Sequence, residues 1–207
     1  MNVEIHIADL KYAHYAQEIC DLMYESALAR GTGIAKRSPE YVAKKINESK
    51  SVIALDGDKL VGFSYIETWG HQKFVANSGL IVHPDYRNQG LAKQIKRKIF
   101  DLSRKLFPNA KIFSITTGLA VMKMNTELGF KPVPFSELTD DKEFWKGCQG
   151  CRNFDILERN NYKMCLCTGL LYDPAQKEKE SVSGSRFAAK LVKPVVKKRT
   201  PNKMYKK

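Results

Sequence analysis

The residues whose types and spacing most clearly indicate a binding or catalytic role form a short loop in the middle of the chain: Arg87, Asn88, Gln89, Gly90, Leu91 and Ala92. An apolar and mostly β-branched run precedes the loop and is typical of a buried strand, Leu80, Ile81 and Val82. After the loop, Ile95, Ile99 and Leu102 recur at helical spacing. The loop therefore connects the end of a strand to the start of a helix.

A loop in this position predicts an anion site. The first backbone N–H groups of a helix lack partners, and the positive end of the helix dipole lies behind them. Gly90 has no side chain, so a phosphate group can approach the backbone there. The sequence lacks both the GxxxxGK[ST] and the GxGxxG patterns, which excludes a Walker loop and the dinucleotide fingerprint. The ligand that suits this loop best is a pyrophosphate.

A second candidate site consists of four cysteines with C-x2-C and C-x-C spacing, Cys148, Cys151, Cys165 and Cys167. The surrounding sequence predicts a terminal hairpin with strands at residues 154–157 and 162–171. This hairpin would bring Cys151 close to Cys167, and four thiolates there would bind one structural zinc ion tetrahedrally. The alternative is that the cysteines are small buried residues of the hairpin.

The elements that must position these sites alternate between strands and helices. In order, the patterns predict strand Val3–Ile7, a helix capped by Asp9, a helix that begins at Ser38 and Pro39, a hairpin of Ser51–Leu55 and Leu60–Thr68, strand Leu80–Val82, a helix that ends near Phe107, strand Ile112–Thr116, helix Ala120–Leu128 and the terminal hairpin. This order predicts a mixed α/β sheet with a parallel portion around the central strand–loop–helix unit.

The central pattern, Arg-x-x-Gly-x-Ala after a strand that ends in Val-His-Pro, resembles the acyl-coenzyme A loop of the GNAT N-acetyltransferases. The resemblance covers roughly Val3 to Tyr172. It implies an α/β fold of the GNAT type, with a mostly antiparallel mixed sheet, a splayed parallel central pair and flanking helices. It also implies that the backbone of Leu80–Val82 binds pantetheine and that the backbone of Asn88–Lys93 binds the pyrophosphate. Lys93 and Lys96 would neutralise a nucleotide phosphate or form a solvated helix face.

The helix before Gly129 resembles the second GNAT segment but departs from it at one position. Many members have a tyrosine four residues before this glycine, where it can protonate the leaving thiolate. This chain has Asn125, which donates hydrogen bonds but is no proton donor at pH 7. Either the thiolate leaves without that acid, or Asn125 only contacts the cofactor; we favour the second interpretation.

Further details resemble the transferase domain of N-acetylglutamate synthases. The shared features are Thr116-Thr117, the missing tyrosine, Gly129-Phe130-x-Pro132-Val133 and Gly33-Ile34-x-x-Arg37-Ser38-x-Glu40. By this resemblance Arg37 would pair with a substrate carboxylate, with Ser38 as a second contact. The alternative places Arg37 on a solvated helix start and makes Ser38 a cap only. Those synthases usually also carry an amino-acid kinase domain, for which this chain has no room.

Acyl transfer to an amine also requires a base that takes a proton from the attacking ammonium. Glu67 is the candidate, because it lies late in the strand that precedes the central one. The alternative is an exposed glutamate at a strand end.

Length and composition limit the number of domains, the membrane segments and the role of the C-terminal tail. The 207 residues, 43% of them hydrophobic, suit one acyltransferase domain at residues 1–173. No apolar run approaches the roughly 18 residues of a membrane span, and no signal peptide is evident, so we expect a cytoplasmic protein without membrane contact. Residues 174–207 hold eleven Lys or Arg against two Glu, and thus most of the net charge of +13. This tail is expected to be disordered and to contact nucleic acid non-specifically.

These observations predict an enzyme that transfers acetyl from acetyl-CoA to a primary amine by direct attack in a ternary complex. The preferred acceptor is the α-amine of a free amino acid such as glutamate. The alternatives are a protein or peptide amine acetyltransferase, and an RNA- or ribosome-associated module with weak catalysis. Succinyl-CoA would use the same loop, and the sequence predicts no oligomeric state.

Overall fold

A computed structural model describes residues 2–31 and 37–176 of the chain. Its strands are β1 (Val3–Ile7), β2 (Ser51–Asp56), β3 (Lys59–Trp69), β4 (Phe74–Val82), β5 (Lys111–Thr116), β6 (Lys131–Val133) and β7 (Thr168–Tyr172). Its α-helices are α1 (Ala16–Arg30), α2 (Pro39–Asn47), α3 (Leu91–Leu106), α4 (Leu119–Glu127), α5 (Lys142–Lys146) and α6 (Phe154–Arg159). Short 3-10 helices cover Leu10–Tyr15, Pro84–Tyr86 and Phe135–Glu137.

The strands form one mixed sheet in the order β1-β2-β3-β4-β5-β7-β6. Every neighbouring pair is antiparallel except β4 and β5, which are parallel. The crossover between these two strands is α3, as expected for a strand–helix–strand unit. The predicted α/β class, the mixed sheet and its central parallel pair are therefore confirmed.

The parallel pair is short, and the two strands then separate. It comprises Phe74 with Lys111, Val75 with Ile112 and Ala76 with Phe113. β4 continues to Val82 and β5 to Thr116 without further pairing between them. The edge of β4 that faces β5 is thus left open from Asn77 onward, and we call this opening the β4–β5 gap.

Helices cover both faces of the sheet. On one face, Ile19 and Met23 of α1 and Val42 and Ile46 of α2 belong to a buried cluster that includes Phe63 of β3. On the other face, α3 contributes its buried residues to a second cluster with β2, β3 and β4. Full burial of an aliphatic side chain is worth about 1.5–3 kcal/mol, so these two clusters hold the helices on the sheet.

Local sequence signals explain where several elements begin. The Asp9 carboxylate accepts a hydrogen bond from the backbone N–H of Lys11 at 3.1 Å, and the Ser38 hydroxyl accepts one from Tyr41 at 3.3 Å. Both are helix caps, as predicted, although the Asp9 cap begins a 3-10 turn rather than an α-helix. The predicted β2–β3 hairpin is also confirmed, with Gly57 in the left-handed conformation at its turn (φ +61°).

The predicted terminal hairpin is wrong. The segment Phe154–Arg159 is helix α6, and only Thr168–Tyr172 forms a strand, which lies between β5 and β6. Phe154 and Leu157 are three residues apart, which suits one helix face, but in so short a run periodicity does not separate helix from strand. The sequence prediction also missed β6, a three-residue edge strand that tolerates Pro132 because it pairs on one side only.

All of these elements belong to one compact unit, Met1–Pro174. Within the described residues no helix is long and apolar enough to cross a bilayer. The basic tail from residue 177 onward lies outside the described residues, as do residues 32–36 with Gly33 and Ile34. The disorder and nucleic-acid contact expected of the tail therefore stay predictions.

Candidate active site

The β4–β5 gap opens into a cavity of about 780 Å³. Its lining includes the separated parts of the two strands, among them Asn77–Leu80 and Ser114–Thr116. It also includes Arg37, Ser38, Tyr41 and Glu67 together with aromatic side chains of the sheet. The open strand edge and the polar residues of α2 and β3 therefore face one cavity.

The loop before α3 has the geometry of an anion site. Asn88 and Gly90 adopt the left-handed conformation, with φ of +62° and +80°. None of the five backbone N–H groups from Asn88 to Ala92 donates a hydrogen bond to another part of the described chain. A Cβ on Gly90 would have no atom within 4 Å, so the space above the backbone is open. Free N–H groups at the start of a 16-residue helix suit a pyrophosphate.

Arg87 holds this loop in place through its side chain. Its Nε donates to the carbonyl of Val82 at 3.1 Å, and its Nη2 donates to the Ser26 hydroxyl of α1 at 3.1 Å. The predicted role of Arg87 in cofactor binding is therefore indirect in this geometry, because the guanidinium is already bonded to protein groups. Lys93, on the first turn of α3, forms an exposed ion pair with Glu127 at 2.7 Å.

Leu80, Ile81 and Val82 contribute differently to the gap. Leu80 lines the cavity, whereas the side chains of Ile81 and Val82 are buried in the clusters on opposite faces of the sheet. Their backbone edge toward β5 has no strand partner in the described chain. An extended ligand could pair with this edge as a strand would, so the predicted pantetheine contact fits the observed opening.

Gly79 shapes the same stretch of β4. It has φ of +63°, and a Cβ there would lie 2.3 Å from Cε1 of Tyr65 and 2.8 Å from Cε of Met23. The register of β3 against β4 shifts at this point. Only glycine fits this position, and the irregularity it allows turns the strand at the centre of the cavity wall.

Glu67 lines the same cavity and is 5% exposed. It accepts a hydrogen bond from the Tyr41 hydroxyl at Oε1 and another from Ser78 Oγ at Oε2, at 2.7 Å. Arg37 Nη2 lies 3.5 Å from Oε1. A carboxylate accepts up to about four hydrogen bonds, so Oε2 keeps capacity for a further donor. The predicted base is thus a buried and oriented carboxylate, not an exposed glutamate at a strand end.

Arg37 is held beside Glu67 and not on a solvated helix start. Its Nε donates to the Tyr65 hydroxyl at 2.8 Å, while Nη1 has no partner among the described residues. Burial alone would lower the pKa of Arg37, but Tyr65 and Glu67 outweigh it and the net shift is upward. The guanidinium therefore stays charged, with donors left for a ligand. Ser38 lines the cavity too, although its hydroxyl already caps α2.

Three of the four cysteines line the cavity: Cys148, Cys151 and Cys167. Burial, followed by the neighbouring cysteines, raises the pKa of Cys148 to about 11 and that of Cys167 to about 12. In the described chain no group of three or more His, Cys, Asp or Glu is placed to hold a metal ion. The predicted zinc site at Cys148, Cys151, Cys165 and Cys167 is therefore not supported. The hairpin that was expected to align the thiols is absent, because residues 154–159 are helical.

Two buried polar residues, Asn125 and Lys96, are not among the residues that line the cavity. Asn125 of α4 is fully buried, and neither its Nδ2 nor its Oδ1 has a partner in the described structure. Lys96 of α3 is 2% exposed, so it does not form a solvated helix face.

The sequence matches the profile of the Acetyltransferase (GNAT) family over residues 18–130. This chain belongs to the GNAT acetyltransferase family. No curated protein sequence is significantly similar to it.

Solved structures with the same fold include several that contain coenzyme A. N-acetylglutamate synthase from Neisseria gonorrhoeae, complexed with coenzyme A and N-acetyl-glutamate, is 19% identical with a TM-score of 0.60; the match covers 84% of this chain and 35% of that chain. Rv2747 from Mycobacterium tuberculosis, in complex with CoA, is 14% identical with a TM-score of 0.58, over 82% and 98% of the two chains. A phosphinothricin acetyltransferase from Sinorhizobium meliloti, in complex with AcCoA, is 14% identical with a TM-score of 0.56, over 84% and 89%.

At these identities the structural similarity shows the fold alone. This chain spans about a third of the length of the synthase. The residues present fit a coenzyme A donor, since the loop offers free N–H groups for the pyrophosphate and β4 offers an open strand edge for the pantetheine.

Sequence reasoning missed Tyr41, Tyr65 and Ser78, which orient the two charged residues of the site. No motif marks them, because tyrosine and serine are common on helices and strands. Tyr41 could have been found from its position, since it lies one helical turn after the Ser38 cap and so beside Arg37.

Proposed function

We propose that this enzyme acetylates the α-amine of a free amino acid, with glutamate or a related dicarboxylic amino acid as the preferred acceptor. The observation that carries the proposal is the juxtaposition of Arg37 and Glu67, whose Nη2 and Oε1 lie 3.5 Å apart and which both line the cavity. A free amino acid carries an ammonium and a carboxylate on one carbon. The adjacent charges of Arg37 and Glu67 are complementary to that carboxylate and that ammonium.

Each charged residue would then have one role. Arg37 would bind a carboxylate of the acceptor through Nη1 and the remaining Nη2 hydrogen, which guanidinium geometry favours. Glu67 would bind the ammonium at Oε2 and take one proton from it, leaving the neutral amine that attacks the acetyl carbon. Tyr41 and Ser78 hold the carboxylate in place during this transfer. Similarity to a synthase that was solved with N-acetyl-glutamate supports the choice of acceptor.

The donor would lie in the β4–β5 gap, with its pyrophosphate at the loop from Asn88 to Lys93. The open edge of β4 would orient the pantetheine, so that the acetyl group faces Glu67 across Ser78 and Gly79. Binding of both substrates side by side allows direct attack in a ternary complex.

The test is a panel that measures thiol release from acetyl-CoA and succinyl-CoA against the twenty amino acids and several peptides. We expect the highest kcat/KM for acetyl-CoA with a dicarboxylic amino acid. Arg37→Ala should lower kcat/KM for that acceptor roughly 10- to 100-fold, which is the worth of a hydrogen bond to a charged group, and Arg37→Lys should lower it less. The affinity for acetyl-CoA should not change.

Arg159→Ala is the control, because Arg159 is exposed at the end of α6 and should have no effect. Acceptors amidated at the α-carboxylate or at the side-chain carboxylate show which group Arg37 binds, because the variant should lose that preference. Acetylation of peptides with no activity on free amino acids, unaffected by Arg37→Ala, would overturn the proposal in favour of a peptide-amine acetyltransferase.

A further inference from the structure

Lys96 is a buried amine without an acidic partner, and the acceptor chemistry leaves it unused. It lies on α3, it is 2% exposed, and no carboxylate of the described residues forms an ion pair with it. Its Nζ lies 3.4 Å from Oδ1 of Asn77 and 5.3 Å from the ring centroid of Phe130. A buried lysine with one amide acceptor lowers the stability of the fold. A functional role would account for its position.

Asn77 connects Lys96 to the β4–β5 gap. It is the first residue of β4 after the last β4–β5 pair, Ala76 with Phe113, and it lines the cavity. Its Nδ2 donates to Ser103 Oγ at 2.7 Å, and Ser103 in turn donates to the carbonyl of Ile99 at 2.8 Å. These bonds fix the amide so that Oδ1 points to Lys96. The amine therefore lies directly behind the point where the strands separate.

Asn125 of α4 is a second buried polar residue next to Phe130. It is fully buried and both of its side-chain polar atoms lack partners among the described residues. Its backbone carbonyl accepts a hydrogen bond from the N–H of Phe130 at 3.0 Å, so Asn125 and Lys96 both adjoin Phe130. Buried amides without partners are rare in folded proteins, and a ligand that enters the gap would supply them.

We infer that Lys96 is a catalytic residue that donates a proton to the sulfur atom of coenzyme A as the thioester breaks. The inference rests on the proposed position of the donor in the gap. In this step the C–N bond to the acceptor forms and the C–S bond breaks. The sulfur takes the bonding electron pair and a proton from Nζ. The acceptor nitrogen becomes cationic as it attacks, and it releases its second proton to water. Lys96 is left as a neutral amine and takes a proton back from that water.

The electrostatics of Lys96 suit this role. Burial is the only cause that shifts its pKa, which is lowered from 10.5 to about 7, and no charged group facing it from β2, β3, β4 or α4 in the described chain contributes. At neutral pH a large fraction of such amines is protonated, and the proton is released far more easily than from an exposed lysine. Lysine would thereby supply the acid that Asn125 cannot.

The test is titration of the thiol of bound coenzyme A, followed by the ultraviolet absorbance of the thiolate, in wild type and in Lys96→Met. An ammonium next to the sulfur favours the thiolate, so the bound thiol should titrate at least one pH unit higher in Lys96→Met than in wild type. Lys105→Met, which removes an exposed lysine from the same helix, should titrate like wild type. This measurement needs no acceptor, so it does not depend on the amino-acid proposal.

Turnover gives the second readout. With acetyl-CoA and the best acceptor, Lys96→Met should lower kcat at least tenfold with little change in the KM for acetyl-CoA, and the pH profile should lose its limb near pH 7. An unchanged thiol titration in a folded Lys96→Met that binds coenzyme A would overturn the inference and leave Lys96 a support for Asn77. Loss of coenzyme A binding in both Lys96→Met and Lys96→Gln would overturn it as well, because a proton donor to the sulfur is not required for binding. Failure of wild type to bind coenzyme A through the loop would instead refute the proposed donor site.

Discussion

Tyr41 of α2 donates its hydroxyl hydrogen to Oε1 of Glu67 of β3, and this contact joins the helix that carries Arg37 to the strand that carries the carboxylate. Burial, followed by the charge of Glu67, raises the pKa of the Tyr41 hydroxyl. Tyr41 therefore stays protonated at any working pH and remains a donor to Glu67.

Tyr41→Phe should weaken catalysis without harm to donor binding. The change removes one donor from a buried carboxylate, which costs about 1–3 kcal/mol, and it frees Glu67 to rotate. We expect a fall in kcat/KM for the acceptor of roughly tenfold or more, with the affinity for acetyl-CoA unchanged by calorimetry. Tyr24→Phe is the matched control, because Tyr24 is 56% exposed on α1. Equal kinetics for the two variants would contradict the orienting role of Tyr41.

Gly90→Glu should block the donor at the loop. A carboxylate above the free N–H groups would repel the pyrophosphate and occupy its space, and we expect a loss of more than about 2 kcal/mol in acetyl-CoA affinity. Gly90→Gln introduces a side chain of nearly the same shape and the same backbone strain at φ +80°, but no charge. It should therefore lose less affinity for acetyl-CoA. Calorimetry of both folded variants separates charge from shape. Unaltered affinity in Gly90→Glu would disprove the pyrophosphate assignment.

Gly79→Ala should destabilise the fold by about 2–4 kcal/mol, because it combines a left-handed backbone with a Cβ that overlaps Tyr65 and Met23. Gly57→Ala has a similar φ of +61°, but no atom lies within 4 Å of the added Cβ. It should therefore cost only about 1–2 kcal/mol, the strain alone. Urea unfolding of the two variants measures the difference, and similar midpoints would show that β4 adapts to a side chain at position 79.

Lys96→Met should stabilise the protein in a pH-dependent way. The pKa of Lys96 is about 7 in the folded state and about 10.5 in the unfolded state, so the unfolded chain binds more protons between these values. The penalty for burying this lysine is therefore greatest at pH 7 and below, and it disappears as the pH approaches 10.5. The fall in pKa sets an upper bound of about 5 kcal/mol on it.

The measurement is the free energy of unfolding of Lys96→Met and wild type at several pH values. The difference should be largest near neutral pH and should shrink as the pH rises, while Lys105→Met should show no such trend. A constant difference across this range would mean that Lys96 keeps its ordinary proton affinity in the fold.

The sequence predicted those parts of the fold whose signals are local. Ser38 and Pro39 mark the start of α2, and the apolar spacing of Ile95, Ile99 and Leu102 marks α3. Residues 154–157 were predicted as a strand although they belong to helix α6, because four residues carry too little periodicity to separate the two classes. β4 was predicted too short, since Asn77, Ser78 and Gly79 interrupt its apolar run at the residues that line the cavity.

The candidate site was predictable in part for the same reason. The loop at Gly90 follows from adjacent residues, but the burial of Lys96 and the contact of Tyr41 with Glu67 arise from packing between elements distant in sequence. The position of Lys96 in the helical pattern of α3 does not distinguish it from an exposed lysine. Only the sheet behind α3 makes it a buried amine.

The three residue pairs that join β4 to β5 divide the sheet into two blocks, β1–β4 and β5–β7, with a seam that is mostly open. A strand boundary with so few hydrogen bonds opens at lower free energy than its neighbours, so the amides of β5 should exchange with solvent water faster than those of β3. A donor that pairs with the free edge of β4 would act as an eighth strand and close this seam. Occupancy by the acyl donor would then couple the two blocks into one cooperative unfolding unit, and the blocks would unfold together only while the donor is bound.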